Sequence, residues 1–254
     1  MQLEGKAAIV TGGGTGVGRA TALDLARQGC SVLVNFSKSR DEAESAAAEI
    51  EALGVRGIAV QCDVADDAQC RKMVDVAVKA FGRLDVLVNN AGTTKFVLAS
   101  ELEGVTDEDW QRIFAVNVVG PFHCARAVKE PMLASGGGQI INVTSVAAFA
   151  GKGSSIPYAA SKAALNNLTI ALARTLAPHI RVNAVAPGFI TGRWLEQGFG
   201  DAYEGVKRSV ERMCPLEKVS DPADVAAAIM SLVTGSSMIT GQVLICDGGM
   251  LIGK

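Results

Sequence analysis

The sequence has little of what metal sites and aromatic-rich binding surfaces need. Aromatic residues make up 5% of the 254 positions, and only two histidines accompany six scattered cysteines. No CxxC pair is present, so the ligand spacing of a structural zinc site is missing and we expect no metal. The cysteines are expected to be free thiols in a reducing cytoplasm.

Charge of one sign and long apolar runs are also absent. Lysine and arginine number 24 against 26 acidic residues, without a block of either sign. A nucleic-acid-binding domain usually has a basic face, so we expect no nucleic-acid partner. No run of about eighteen apolar residues occurs, and the first residues lack the features of a signal peptide. We therefore expect a cytoplasmic protein without a membrane partner.

The chain does contain short apolar runs that alternate with amphipathic ones. The apolar runs read as buried strands at 7–11, 31–36, 57–61, 84–89, 139–144, 180–186 and 243–246. Helical patterns lie near 17–29, 39–53, 66–81, 107–133, 157–177 and 222–234. This order predicts one α/β domain over 1–254, a Rossmann-type, doubly wound, mostly parallel sheet of seven strands with helices on both faces.

Two places depart from regular patterning. Pro121 lies inside the helical stretch 107–133 and should kink or divide it. The segment 188–220 is irregular and rich in glycine and aromatic residues. A long loop inside a compact domain is usually a lid or a binding loop, so we expect a substrate lid here.

A glycine-rich turn connects the first predicted strand to the first predicted helix. It reads T-G-x-x-x-G-x-G over 11–18. Glycine lets the backbone approach a pyrophosphate, and a helix N-terminus offers free N–H groups. The spacing is not the strict G-x-G-x-x-G fingerprint, so a turn without a ligand is the alternative. The candidate contacts are Gly12, Thr15, Gly16, Val17 and Gly18.

The end of the second strand favours NADP over NAD. An acidic residue there would accept a hydrogen bond from the ribose 2′-hydroxyl of NAD, but none occurs before Asp41. Ser37 and Lys38 have the chemistry to bind a 2′-phosphate instead. The alternatives are that NAD is bound and that Lys38 is an ordinary solvated charge.

Tyr158 and Lys162 are four residues apart, which places both side chains on one helix face. A free phenol has a pKa of about 10 and is a poor base near neutrality. A nearby ammonium lowers that pKa, so the pair suits acid–base catalysis. Two further candidates are Ser145, at the end of a predicted strand, and Asn117, a polar residue among apolar ones.

Together these motifs resemble the short-chain dehydrogenase/reductase family over essentially the whole chain. The glycine turn, Asn89-Asn90-Ala91-Gly92, Asn117, Ser145, the Tyr158–Lys162 pair and Pro187-Gly188 occur in the family's order and spacing. The resemblance implies hydride transfer between a nicotinamide cofactor and a carbonyl or secondary alcohol.

The resemblance also implies residue roles. Tyr158 would be the general acid or base, Lys162 would bind the nicotinamide ribose, Ser145 would bind the substrate oxygen, and Asn117 would support Lys162 through a water-linked relay. The remaining cofactor contacts would be Asp63, Val64, Asn90, Ala91, Gly92, Pro187, Gly188, Ile190 and Thr191, beside the glycine turn, Ser37 and Lys38.

The substrate, the oligomeric state and the enzymatic activity itself each have more than one interpretation. Much of the chain resembles 3-oxoacyl-acyl-carrier-protein reductases, whose carrier docks on basic residues, but 133–139 and 177–179 contain no lysine or arginine. A small ketone, a sugar, a polyol and a coenzyme A ester remain open. The family resemblance implies a homodimer or homotetramer. A cofactor-binding regulator or scaffold on the same fold is the alternative to an enzyme.

Overall fold

The computed structural model describes residues 1–254 and contains one sheet of seven strands. In chain order they are β1 Ala7–Val10, β2 Ser31–Phe36, β3 Gly57–Gln61, β4 Val86–Asn89, β5 Gly138–Val143, β6 Ile180–Pro187 and β7 Val243–Cys246. Every pairing is parallel, and the spatial order is β3-β2-β1-β4-β5-β6-β7. The predicted Rossmann-type sheet is confirmed, and it is parallel throughout.

Ten α-helices connect and cover the strands. They are α1 Gly16–Arg27, α2 Arg40–Ala52, α3 Asp67–Phe81, α4 Asp107–Phe114, α5 Gly120–Ala134, α6 Ala147–Ala150, α7 Ile156–Leu176, α8 Arg193–Phe199, α9 Tyr203–Met213 and α10 Pro222–Thr234. None of them combines the length and apolar character needed to cross a bilayer.

The five inner strands are buried on both faces, with successive side chains pointing to opposite layers, whereas the edge strands β3 and β7 are partly exposed. In β1, Ala8 and Val10 belong to a core shared with α1, α2 and α10, whereas Ile9 belongs to a core shared with α3, α5 and α7. Side chains alternate between the faces of a strand with a period of two. A continuous apolar run is therefore what a strand between two helix layers requires.

The long helix around residues 107–133 is interrupted but not broken. A π-helical turn, Ala115–Val119, lies between α4 and α5, and Pro121 falls in the first turn of α5. Proline has no N–H to donate to the preceding turn of helix, and the wider π-helical turn accommodates it. The irregularity expected from Pro121 therefore appears as a wider turn immediately before it.

The segment 188–220 is more regular than its composition suggests. It contains α8 and α9, joined by a short 3-10 turn, Gly200–Ala202. The expectation of an irregular loop was wrong in this respect. The glycine and aromatic residues concealed the helical character of this segment.

Candidate active site

The predicted site residues lie at the carboxyl edge of the sheet. The glycine turn follows β1, residues 90–92 follow β4, Ser145 follows β5, and Gly188 follows β6. Because all strands are parallel, these ends meet at one edge. The connections run in opposite directions from β1 and β4, which creates the crevice where open α/β sheets bind ligands.

The glycine turn is shaped by close backbone packing. Gly12 has a φ of +60°, a conformation that other L-residues rarely adopt. A Cβ on Gly18 would overlap the Gly12 carbonyl oxygen and lie 2.5 Å from the Asn90 Nδ2. Within the turn, Gly14, Thr15 and Gly16 line an open cavity of about 480 Å³ together with residues of α1 and α2. The predicted turn therefore borders free space at a helix N-terminus.

Two residues that the sequence analysis did not assign hold this turn in place. Asn35, buried in β2, accepts a hydrogen bond from the Gly12 N–H at 3.2 Å and donates to the Cys62 carbonyl at 3.0 Å. The Thr11 hydroxyl accepts from the N–H groups of Asn90 and Ala91, both at 3.0 Å. The signal for Asn35 was a single amide within an apolar strand.

The side chain of Asn90 also stabilises the glycine turn. Its Nδ2 donates to the carbonyls of Thr11 and Gly12 at 2.9 and 3.1 Å. Asn90 therefore connects the loop after β4 to the loop after β1. Ala91 and Gly92 follow it into the crevice, where a Cβ on Gly92 would lie 3.7 Å from the Lys162 Nζ.

Tyr158, Lys162 and Ser145 come together where α7 crosses the end of β5. The Lys162 ammonium is buried, lies 5.7 Å from the centre of the Tyr158 ring, and donates to the Val143 carbonyl at 2.8 Å. The Ser145 side chain lies close enough to the Tyr158 hydroxyl to lower the pKa of that phenol. The structure thus brings the three predicted catalytic side chains into one group.

The ionisation of the pair differs from the expectation. Burial raises the pKa of Tyr158, and the hydrogen bond from Ser145 opposes this effect only in part. Burial also lowers the pKa of Lys162 to about 8. Lys162 was expected to lower the pKa of Tyr158, but at this distance the cost of burying a phenolate is the larger effect.

Asn117 lies fully buried in the π-helical turn and does not contact Lys162. Its Nδ2 donates to the Ser161 hydroxyl and to the Thr93 carbonyl, both at 3.0 Å, and its Oδ1 accepts from the Thr93 N–H at 2.8 Å. π-helical turns are frequent at functional sites because they reorient one side chain. Here the turn connects the loop after β4 to α7.

The predicted contacts for the adenosine half lie beyond β2 and β3. Ser37 and Lys38 are exposed immediately after β2, and the Lys38 ammonium has no ion-pair partner. Asp63 is exposed after β3, with Oδ1 accepting from the Ala65 N–H at 3.0 Å. Val64 is buried and packs against Gly120.

The remaining predicted contacts lie at the end of β6 and in the first residues of the segment 188–220. The Pro187 carbonyl accepts from the Val146 N–H at 2.9 Å, and the Gly188 N–H donates to the Cys246 carbonyl at 3.0 Å. Ile190 forms a bridge to Ser220, and the Thr191 N–H donates to the same residue's carbonyl. These contacts fix the beginning of the lid to the segment before α10.

Most lid aromatics contact one another. Phe199 lies with its ring centre 5.5 Å from that of Phe96 and 6.2 Å from that of Phe189, which also contacts Tyr203. Phe189, Phe199 and Tyr203 therefore pack within the segment 188–220. Trp194 differs, because its ring meets Tyr158 edge-on at 6.4 Å.

Comparison with known proteins gives one family. Residues 12–251 match the family model described as enoyl-(acyl carrier protein) reductase, one of the short-chain dehydrogenase/reductase models. The chain is 40% identical to ketoacyl reductase 2, named for the granaticin polyketide synthase of Streptomyces violaceoruber, over 97% of this chain and 96% of that one. It is 38% identical to a 3-oxoacyl-[acyl-carrier-protein] reductase of Synechocystis, over 98% of each.

The fold is also similar to that of a solved dehydrogenase structure. The NAD⁺-bound xylitol dehydrogenase superposes with a TM-score of 0.90 at 31% identity, covering 98% of this chain and all of that one. The family model and these relatives match nearly the whole length of the chain. The chain belongs to the short-chain dehydrogenase/reductase family of oxidoreductases.

Proposed function

We propose that this protein is an NADP-dependent oxidoreductase that interconverts a carbonyl and a secondary alcohol, with Tyr158 as the general acid or base. The observation that carries the proposal is the convergence of three side chains at the end of β5. The Ser145 side chain lies close enough to the Tyr158 hydroxyl to lower its pKa, and the buried Lys162 ammonium lies 5.7 Å from the tyrosine ring centre.

Each of the three side chains has one role in the proposed reaction. In reduction, Tyr158 gives its hydroxyl proton to the carbonyl oxygen, and in oxidation it takes that proton back. The Ser145 hydroxyl donates to the same oxygen and stabilises the charge that develops there. A buried ammonium favours the phenolate, which lowers the cost of leaving Tyr158 deprotonated. No metal ion is assigned, because the tyrosine handles the proton.

The crevice fits a nicotinamide dinucleotide. The packing of Gly18 leaves no room for a Cβ, and the turn at 14–16 opens onto a cavity of about 480 Å³. The proposed contacts are Gly12, Thr15, Gly16, Val17 and Gly18 for the pyrophosphate, Asp63, Val64, Asn90, Ala91 and Gly92 along the crevice, Lys162 for the ribose, and Pro187, Gly188, Ile190 and Thr191 for the carboxamide. When bound, the nicotinamide supplies or accepts the hydride.

The preference for NADP over NAD rests on charge at the end of β2. Lys38 is exposed and lacks an ion-pair partner, and Ser37 beside it offers a hydroxyl. A phosphate gains charge-assisted hydrogen bonds from such groups. Asp41 and Glu42 line the cavity and act in the opposite direction. Separate titrations with NADPH and NADH measure the preference directly.

Two substrate classes follow from different relatives. The 3-oxoacyl-[acyl-carrier-protein] reductase similarity favours a 3-oxoacyl thioester. The absence of lysine and arginine from 133–139 and 177–179 speaks against docking of an acidic carrier there, so a small ketone, sugar or polyol is retained. Turnover of a 3-oxoacyl coenzyme A thioester, compared with small ketones and polyols, separates these classes.

The decisive experiment compares Tyr158→Phe with the wild type. We expect the variant to bind NADPH with nearly unchanged affinity but to lose about 10²- to 10⁴-fold in kcat on the best carbonyl substrate, since it keeps the ring and lacks the proton. Tyr203→Phe, at the chain's other tyrosine, is the control. Cofactor binding by the wild type without turnover of any substrate would favour a regulator or scaffold instead.

A homodimer or homotetramer is proposed from exposed apolar side chains. Trp110 on α4, Phe122 on α5 and Ile170 on α7 are 37–46% exposed, as is Ile245 on the edge strand β7. Burial of such surface is the usual driving force for association. Light scattering of the protein and of Phe122→Glu tests the proposal.

A reducing cytoplasm is proposed because all six cysteines are free thiols.

A further inference from the structure

Two consecutive residues at the start of α8 contact opposite ends of the crevice. The Arg193 guanidinium forms an ion pair with Glu42 on α2, with Nη1 and Oε1 2.9 Å apart. Glu42 lines the cavity beside the glycine turn, together with Gly14, Thr15 and Gly16. The lid is therefore connected to the half of the crevice that lies next to α1 and α2.

Trp194 extends from the same turn of helix into the other half. Its ring meets the Tyr158 ring edge-on, with centres 6.4 Å apart. A Cβ placed on Gly92 would lie 3.6 Å from the indole Cη2 and 3.7 Å from the Lys162 Nζ. The indole therefore stands beside the ammonium and the phenol that the proposed reaction uses.

Arg193 and Glu42 pair only with each other. Neither Arg193 nor Glu42 takes part in any other ion pair, although they are 151 residues apart in the chain. On the same helix, Arg40 pairs with Glu44 at 3.1 Å without reaching the lid. The helix α2 thus offers a second pair of the same chemistry that serves as a matched control.

We propose that Arg193 and Glu42 form a lid latch that positions Trp194 across the crevice, so that a nicotinamide dinucleotide enters and leaves only when the latch opens. The inference rests on the proposed function for its ligand. A dinucleotide bound from the glycine turn to Lys162 would span the two groups of residues that Arg193 and Trp194 contact. Arg193 and Glu42 are positioning residues, and they act through Trp194.

The first test needs no cofactor. Trp110→Phe leaves Trp194 as the only tryptophan, since the chain has two. In this background we expect Glu42→Gln to increase acrylamide quenching of Trp194, and Glu44→Gln to leave it unchanged. The reversed pair, Glu42→Arg with Arg193→Glu, should restore the original quenching. Equal quenching in Glu42→Gln and its parent would overturn the latch.

The second test measures passage of the cofactor. In stopped-flow binding of NADPH, and of NADH in parallel, Glu42→Gln should raise both the association and the dissociation rate constants. An exposed ion pair of this kind predicts an increase of about two- to fivefold. The reversed pair should return both constants towards the wild-type values, which separates the latch from a direct contact of Glu42 with the ligand.

The outcomes distinguish this inference from the proposed function. Unchanged rate constants, or a change in dissociation alone, would contradict the latch while leaving the cofactor assignment intact. If the wild type binds neither NADPH nor NADH, the proposed function fails, and the gating of a dinucleotide fails with it. The quenching experiment still decides whether the Arg193–Glu42 pair holds Trp194.

Discussion

Asn117 Nδ2 donates a 3.0 Å hydrogen bond to the Ser161 hydroxyl, which in turn donates to the Tyr158 carbonyl at 2.7 Å. This chain of contacts connects the π-helical turn to the part of α7 that lies between Tyr158 and Lys162. Asn117 is therefore connected through Ser161 to the backbone of α7 at Tyr158, and it makes no hydrogen bond to the side chain of Tyr158 or Lys162.

Replacing Asn117 should lower the free energy of unfolding more than replacing its partner Ser161. Asn117→Ala removes three hydrogen bonds and leaves both backbone polar groups of Thr93 without these contacts. Each buried group left unsatisfied costs about 1–3 kcal/mol, so the free energy of unfolding in urea should fall by at least that amount. Ser161→Ala is the comparison, because it loses the bonds to Asn117 and to the Tyr158 carbonyl but keeps both Asn117 bonds to the Thr93 backbone. Equal stability of the two variants would contradict this account.

Lys162 should make stability depend on pH in the alkaline range. Burial lowers its pKa from the usual 10.5 to about 8. Between these values the unfolded chain binds more protons at this position than the folded one, so the free energy of unfolding rises with pH. The rise attributable to Lys162 is about 3 kcal/mol.

Urea unfolding of the wild type and Lys162→Met at pH 7.5 to 10.5 would isolate this contribution (roughly the interval between the two pKa values). The difference in unfolding free energy between the two proteins should shift in favour of the wild type as the pH rises. Lys38→Met, at an exposed position, should show no such shift. A difference independent of pH would show that Lys162 is not buried as an ammonium.

Gly18→Ala should damage the glycine turn. Its Cβ would overlap the Gly12 carbonyl oxygen and approach the Asn90 amide, so the turn must shift. We expect at least tenfold weaker binding of NADPH, corresponding to about 1.4 kcal/mol or more. Gly205→Ala, in α9 with nothing near its Cβ, should leave binding unchanged and stabilise that helix slightly. Binding by Gly18→Ala equal to the wild type would remove this turn from the cofactor site.

Lys38→Glu should reverse or abolish a preference for NADPH. The substitution replaces a cation with an anion where the 2′-phosphate is proposed to bind. Charge-assisted hydrogen bonds contribute about 1.5–3 kcal/mol, which predicts a loss of about 10- to 100-fold for NADPH and little change for NADH. Lys72→Glu, the same charge change on α3, is the control. A parallel loss for both cofactors would assign Lys38 to another role.

The sequence predicted the fold well because a buried strand is visible locally as a short run of apolar residues. In the run from Ala7 to Val10, every side chain must be apolar, since alternate residues enter different cores. The lid was less predictable. Gly198 packs its Cα against the Phe96 ring, from a loop about a hundred residues earlier, and no local pattern announces such a contact.

The sequence by itself determined the parallel α/β class, the glycine turn and the family motifs around Tyr158, because each depends on residue type and short spacing. Only the tertiary structure decided how these parts act on one another. It set the pKa of Lys162 through burial, directed the Asn117 amide to the Ser161 hydroxyl, and paired Arg193 with Glu42. These relationships join residues from separate elements, and their distances and burial exist only once the sheet and its helices have packed.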